Sequence, residues 1–261
     1  MECGLTSYDC IIEMMRPLIA ATLAALAICG FLDMSSTKAS RKEVAFAAKI
    51  AAISAPASTR GDLPNVLLIG DSISVGYTEP ARDLLNGIAN VYRVPANGAS
   101  TIEGKKNLDQ WIAGNRWDVI HFNFGLHDLY KEKGLLPFSR RSVRVKLDDY
   151  AANLRAICRR LKQTGARLIF ATTTPVPPGA VRRGAGEESA YNAVAQQIMR
   201  EGGIAIDDLH AYAAPHLSAW QVANDVHFKP EGDRMLARQV ALTIAAVLNG
   251  ELPPDLARTP Q

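Results

Sequence analysis

A serine hydroxyl becomes a nucleophile only when a base takes its proton and donors hold the oxyanion that forms, so serine and histidine are the residues to place first. One serine stands out. The run "VLLIGDSISVGY", residues 66–77, ends an apolar stretch in Gly70-Asp71-Ser72 and puts Ser72 at a strand-to-helix turn. That position suits two jobs, a helix cap that accepts a backbone N–H bond and a nucleophile held at a strand's tip. The candidate bases are His121, His127, His210, His216 and His227. His121 lies inside an apolar run and reads as a packed core histidine, and His210 and His216 flank a short polar-apolar segment of surface type. His227 differs: it lies in "NDVHFKPEGDRML", a polar loop that runs straight into a helix opened by Pro230 and Glu231.

The elements that must position these residues alternate along the chain. Short β-branched or apolar runs occur at 66–69, 91–94, 119–123, 168–173 and 204–206. Helical patterns occupy 80–85, 107–112, 145–163, 187–200 and 231–248. This order predicts a parallel sheet with helices on both faces, and the near-continuous apolar strands agree with burial on both sides. Ligands of such sheets bind beyond the carboxyl ends of the strands. Residues 70–74, 97–100, 125–128, 175–184 and 207–210 are therefore the places to search for a site.

Composition sets the outer bounds. The chain has 261 residues, 48% hydrophobic and 21% charged, with a net charge of +3. That supports a sizeable core and supplies no field that would recruit nucleic acid. Residues 1–33 hold "RPLIAATLAALAICGFL", an apolar stretch behind Arg16 that reads as a secretory signal or a membrane tether, with Ala25 and Ala27 as a cleavage motif. Secretion, a periplasmic location or envelope anchoring is expected on that basis. Residues 34–63 read as a linker or a helix laid on the domain, with "KEVAFAAKIAAI" as its helical part; 64–250 is the domain, and 251–261 a tail. Cys158 is the one cysteine beyond the leader and sits at helical spacing with Leu154, Ile157 and Leu161, as a packed thiol would.

The chain resembles the SGNH hydrolases, the GDSL esterase/lipase superfamily, through four blocks in order: "IGDSIS" with Ser72, the glycine of "ANGAS" at Gly98, "GLHD" at 125–128 and "NDVH" at 224–227. The resemblance implies a flavodoxin-like three-layer α/β/α sandwich with a five-stranded parallel sheet in the order 2-1-3-4-5. It implies Ser72 as nucleophile, His227 as base, and an oxyanion hole from the backbone N–H groups of Ser72 and Gly98 with a side-chain donor from the third block. It also implies a serine esterase without cofactor or metal, acting on small-molecule or polysaccharide esters as a carbohydrate O-deacetylase or small-acyl esterase, with a lipase, lysophospholipase or thioesterase on the same site, or a non-catalytic ligand-binding module of the same fold, as the alternatives.

Two positions depart from the family pattern. His127 stands where the block carries asparagine, and an imidazole N–H can donate as an amide does; Asn123 is the fallback donor. Asn224 stands three residues before His227, where the family has aspartate, while Asp225 stands two before; a one-residue shift of the loop favours Asp225 as the orienting acid, with Asn224 as the alternative. Asp71 and Asp128 are read as turn-fixing residues, and Asp207-Asp208 as a helix cap. Arg140, Arg141, Arg144 and Lys146, and separately Arg182-Arg183, can rim the mouth of the site toward an anionic substrate, although a solvated loop is the plainer reading of such charge runs. Tyr130, Trp111, Trp117 and Trp220 are read as core before sugar-stacking surface.

Overall fold

The computed structural model describes residues 34–56, 58–132 and 142–249; residues 1–33, where an export or tether segment is expected, Arg140, Arg141 and the tail lie outside the described residues. The chain divides into two units, 1–48 and 49–261. Helix α1 runs Met34–Ala52, longer than the short helix expected, in keeping with an alanine, lysine and glutamate content that favours helix. The second unit begins before residue 64. Ile50 and Ile53 are buried in it, and the Ile53 carbonyl accepts from Arg82 Nη2 (2.7 Å), so this stretch is stitched to the domain and, of the two expectations, a free linker does not describe it.

The domain alternates β1 (Asn65–Ile69), α2 (Ser72–Leu84), β2 (Asn90–Arg93), α3 (Thr101–Ile112), β3 (Val119–Phe122), α4 (Leu147–Lys162), β4 (Arg167–Ala171), α5 (Glu188–Gly202), β5 (Ala205–Asp207), the short α6 (Leu209–Ala213) and α7 (Leu217–Trp220), and α8 (Pro230–Asn249). All strand pairs are parallel, in the order β2-β1-β3-β4-β5. Val66, Leu68 and Ile69 of β1 and all four residues of β3 are buried, as strands covered on both faces require. Each such apolar side chain taken out of water contributes roughly 1.5–3 kcal/mol before chain entropy is subtracted. Helix α2 packs on α8, while α4 lies between α3 and α5. Gly76 permits the first contact, because a Cβ there would collide with the Asp233 carboxylate of α8.

Candidate active site

Asp71 decides what Ser72 does. Its Oδ1 accepts the Ile73 N–H (2.9 Å) and its carbonyl accepts the Val75 N–H (3.2 Å) and the Ser74 hydroxyl (2.7 Å), so the aspartate caps α2. Ser72 is thus the first helical residue, its hydroxyl not needed for capping and its N–H in the first turn, where no helical acceptor exists. Its Oγ lies 2.8 Å from His227 Nε2. Beneath the turn sits Arg93 at the end of β2, 2% exposed. Nη2 reaches the Gly70 carbonyl (2.9 Å), the Asp71 carbonyl (3.3 Å) and Ser74 Oγ (3.0 Å), and Nη1 reaches the Val94 and Ala96 carbonyls (both 2.8 Å). Burial lowers its pKa to about 10, which still leaves a cation beside the buried Asp71. A lone arginine in "NVYRV" carries no local signal of this role, since the partners that tie it to the Ser72 turn come from another strand's end.

His227 is carried by a tight turn before α8. Gln221 and Phe228 form an antiparallel bridge, and the Val222 N–H donates to the His227 carbonyl (2.9 Å), closing the loop 222–227. Within it Asp225 Oδ1 accepts both the His227 backbone N–H (3.1 Å) and ring Nδ1 (2.7 Å). Burial pushes the Asp225 carboxyl up, but the bonds from His227 and its charge outweigh this and leave the pKa below the usual value. Asn224 takes a left-handed conformation (φ 59°) and turns its side chain toward Gly179, where an added Cβ would lie 2.6 Å from Oδ1. Among the described residues Ser72, His227 and Asp225 thus form one hydrogen-bonded chain, and Asn224 is outside it. The pair is open to solvent, the His227 and Asp225 side chains being 50% and 49% exposed.

The expected oxyanion donors fare differently. The Gly98 N–H donates to the Gly70 carbonyl (2.8 Å), so it does not face an incoming carbonyl as expected. Gly98 is needed for close approach, because a Cβ there would lie 2.8 Å from that same oxygen. Asn123 is also occupied, its Nδ2 donating to the Ala171 carbonyl (2.9 Å) from inside the sheet. His127 is half-buried, and no described residue hydrogen-bonds its ring. Burial lowers its pKa, with Arg183 and Arg144 adding to the shift against Asp71 and Glu103, so the imidazole is neutral near pH 7 and keeps one N–H to give.

The remaining candidates have structural partners. His121 Nε2 meets Asp207 Oδ2 (3.1 Å) in the core, and Gln239 donates to Asp207 Oδ1 (3.0 Å); of the expected Asp207-Asp208 cap, only Asp208 caps α6. His210 pairs with Glu188 (3.1 Å), and His216 stacks on Trp220. Asp128 accepts the Thr101 N–H (3.0 Å) and hydroxyl (2.5 Å), fixing the start of α3, while burial drives its pKa up to about 7. Trp111, Trp117 and Trp220 are buried, and the Cys158 thiol, also buried, is pushed up to about 12.

Residues 68–235 match the model of the GDSL-like Lipase/Acylhydrolase family. Among solved structures, a lipase/acylhydrolase from Enterococcus faecalis is similar at TM-score 0.60 and 18% identity over 73% of this chain and 100% of that one. Axe2, an acetylxylan esterase from Geobacillus stearothermophilus, is similar at TM-score 0.58 and 22% identity, covering 69% and 94% of the two chains. An acetyl xylan esterase named AlAXEase is similar at TM-score 0.54 and 15% identity, covering 67% and 97%. No curated protein matches by sequence. The chain is a carboxylic ester hydrolase and belongs to the GDSL-like lipase/acylhydrolase family.

Proposed function

We propose that the protein is a serine esterase that removes small acyl groups, acetyl above all, from carbohydrates. The observation that carries the chemistry is the chain Ser72 Oγ, His227 Nε2 (2.8 Å), His227 Nδ1, Asp225 Oδ1 (2.7 Å). Ser72 Oγ attacks the ester carbonyl carbon as its proton passes to Nε2. Asp225 holds the tautomer that leaves Nε2 free to accept and then steadies the imidazolium. The Ser72 N–H and the neutral His127 ring donate to the oxyanion. Collapse expels the alcohol, which takes the proton back from His227 and leaves an acyl-Ser72 that water, activated by the same imidazole, hydrolyses.

The half-exposed rim supports a polysaccharide or oligosaccharide substrate, since an ester on a bulky hydrophilic chain can reach Ser72 without entering a deep channel. The acetylxylan esterase names among the structural relatives point the same way. Labelling by a fluorophosphonate probe tests the nucleophile: the wild type labels and Ser72→Ala does not, and an unlabelled wild type refutes the reading. Nitrophenyl esters of graded length test the acyl group, with acetate preferred. An optimum at long chains would instead favour a lipase, whose tail would lie in the groove of about 510 Å³ lined by Pro177, Pro178, Leu217 and Val222. Export to the periplasm, envelope or medium is proposed from the composition of residues 16–33, and cell fractionation tests it.

A further inference from the structure

Three arginines from two loops gather around one aromatic ring beside His127. The guanidinium of Arg183 lies 4.8 Å from the Tyr130 ring centroid, Arg144 at 5.2 Å and Arg182 at 5.4 Å. Backbone bonds hold the group in register: Tyr130 accepts from the Arg144 N–H (2.8 Å), Glu132 donates to Ser142 (2.9 Å), and the Lys131 N–H donates to the Arg182 carbonyl (2.8 Å). Arg183 Nε donates to the Leu126 carbonyl (2.8 Å), the residue before His127, which ties the cluster to the third motif block. Arg182 sits in the left-handed region (φ 58°), a conformation a side chain occupies at a cost.

Charge balance makes the cluster unusual. Arg144 pairs with Glu132 (2.7 Å), and nearby Lys131 pairs with Glu187 (2.5 Å). Arg182 and Arg183 have no carboxylate partner among the described residues. Like charges drawn to one ring repel, so an anion that enters between them gains both their attraction and the relief of that repulsion. Guanidinium forks match carboxylate and phosphate oxygens, and the tyrosine ring they stack on gathers the three forks in one place. The cluster's field also reaches the site, since Arg183 interacts electrostatically with Asp225 of the hydrogen-bonded chain and with Asp71 beside Ser72.

Resting on the esterase reading, we propose that Arg182, Arg183 and Arg144 around Tyr130 form a subsite that selects esters whose alcohol carries an anionic group, a carboxylate or a phosphate, near the acylated oxygen. The anion is held while the acyl carbonyl meets Ser72, so the contact strengthens substrate binding and acts through KM more than through kcat. The bland alternative, a solvated basic loop, predicts no discrimination between charged and neutral esters.

Initial rates at low salt on two matched pairs decide it. One is the methyl glycoside of an O-acetylated glucuronic acid beside its neutral carboxyl methyl ester; the other is acetylglycerol phosphate beside acetylglycerol. The expected result is a kcat/KM about 10-fold higher for at least one anionic member over its neutral partner, the advantage shrinking at high salt. The pair with the larger ratio identifies carboxylate or phosphate as the source. Arg182→Gln and, independently, Arg144→Gln lower that ratio toward one, with the loss in KM. A wild-type ratio of one or below for both pairs, or a ratio that Arg182→Gln does not change, overturns the subsite while the esterase stands. If neither member of either pair is hydrolysed and Ser72 takes no fluorophosphonate label, the esterase reading falls and the subsite with it.

Discussion

Replacing Asp225 separates a triad from a dyad, and its cost can be worked from the geometry. The imidazolium formed during attack carries its charge beside a carboxylate 2.7 Å from Nδ1, with both side chains about half exposed. Two unit charges about 4 Å apart interact by about 1 kcal/mol in bulk water and about 4 kcal/mol at the effective dielectric of a protein surface. At about 1.4 kcal/mol per decade, losing that interaction slows turnover by about 5-fold to 10³-fold. The buried aspartate of the serine-protease template is worth roughly 10⁴, and solvent around Asp225 keeps the cost below that. Asp225→Ala should therefore lower kcat on nitrophenyl acetate within this range while fluorophosphonate labelling of Ser72 slows in parallel. Asn224→Ala is the control: alanine at φ 59° costs about 1–2 kcal/mol of stability, read as a lower melting temperature with turnover kept, and Asn224→Gly recovers the melting temperature. Wild-type turnover in Asp225→Ala, or a collapse of turnover in Asn224→Gly, refutes the reasoning.

Three further outcomes follow from the same structure. His127→Ala should cost about 10²–10³ in kcat as an oxyanion donor is lost, and His127→Asn should restore most of it, because an amide donates from the same place; stopped-flow rates on activated esters measure both. Arg93→Met should destabilise the domain by roughly 1.5–3 kcal/mol, because it removes the buried guanidinium that donates to the Gly70, Asp71, Val94 and Ala96 carbonyls and to Ser74 Oγ; urea unfolding measures it. For Asp128, the folded-state pKa of about 7 lies above the unfolded value of 3.8, so the native state binds its proton more tightly. That contribution is complete below pH 3.8 and fades as pH rises through 7. The wild-type melting temperature should accordingly fall between pH 5 and pH 8 relative to that of Asp128→Asn, and equal slopes would contradict the assignment.

Most of the fold is legible along the chain because the strands are short and each is followed by a helix, with β1, β3 and β4 largely apolar on both faces, and the same periodicities that mark the elements also build them. The expected starts differ where a cap outranks periodicity. Helix α2 begins at Ser72, eight residues before the expected start at Pro80, because Asp71 caps it and Pro80 is accommodated inside. Helix α3 begins at Thr101, six residues before the apolar periodicity that marks 107–112, because Ser100 and Glu103 form a capping box. Helices α6 and α7, of five and four residues, are too short to show a period at all. Arg93 is the larger omission. Its meaning lies in carbonyls more than twenty residues away in sequence, and nothing local to β2 distinguishes a buried clamp from an edge charge.

The loop around His227 shows why spacing alone could not choose the orienting acid. A three-residue interval places an acid beneath an imidazole only for one path of the backbone. Here Asn224 adopts the left-handed turn that asparagine tolerates, and the next residue begins an Asx-type turn in which Asp225 Oδ1 accepts the N–H of His227. The same oxygen is thereby delivered to Nδ1 of that residue, so one local bond both shapes the loop and aims the acid. The family's aspartate position is freed from contact with the ring and used to make the turn. A chain that moved the carboxylate back to residue 224 would keep both turns, which asparagine and aspartate make alike, but would carry the charge toward Gly179 and away from the ring. The double variant Asn224→Asp with Asp225→Asn should therefore run slower than wild type on nitrophenyl acetate, and a double variant as fast as wild type would show that the loop can hold either register.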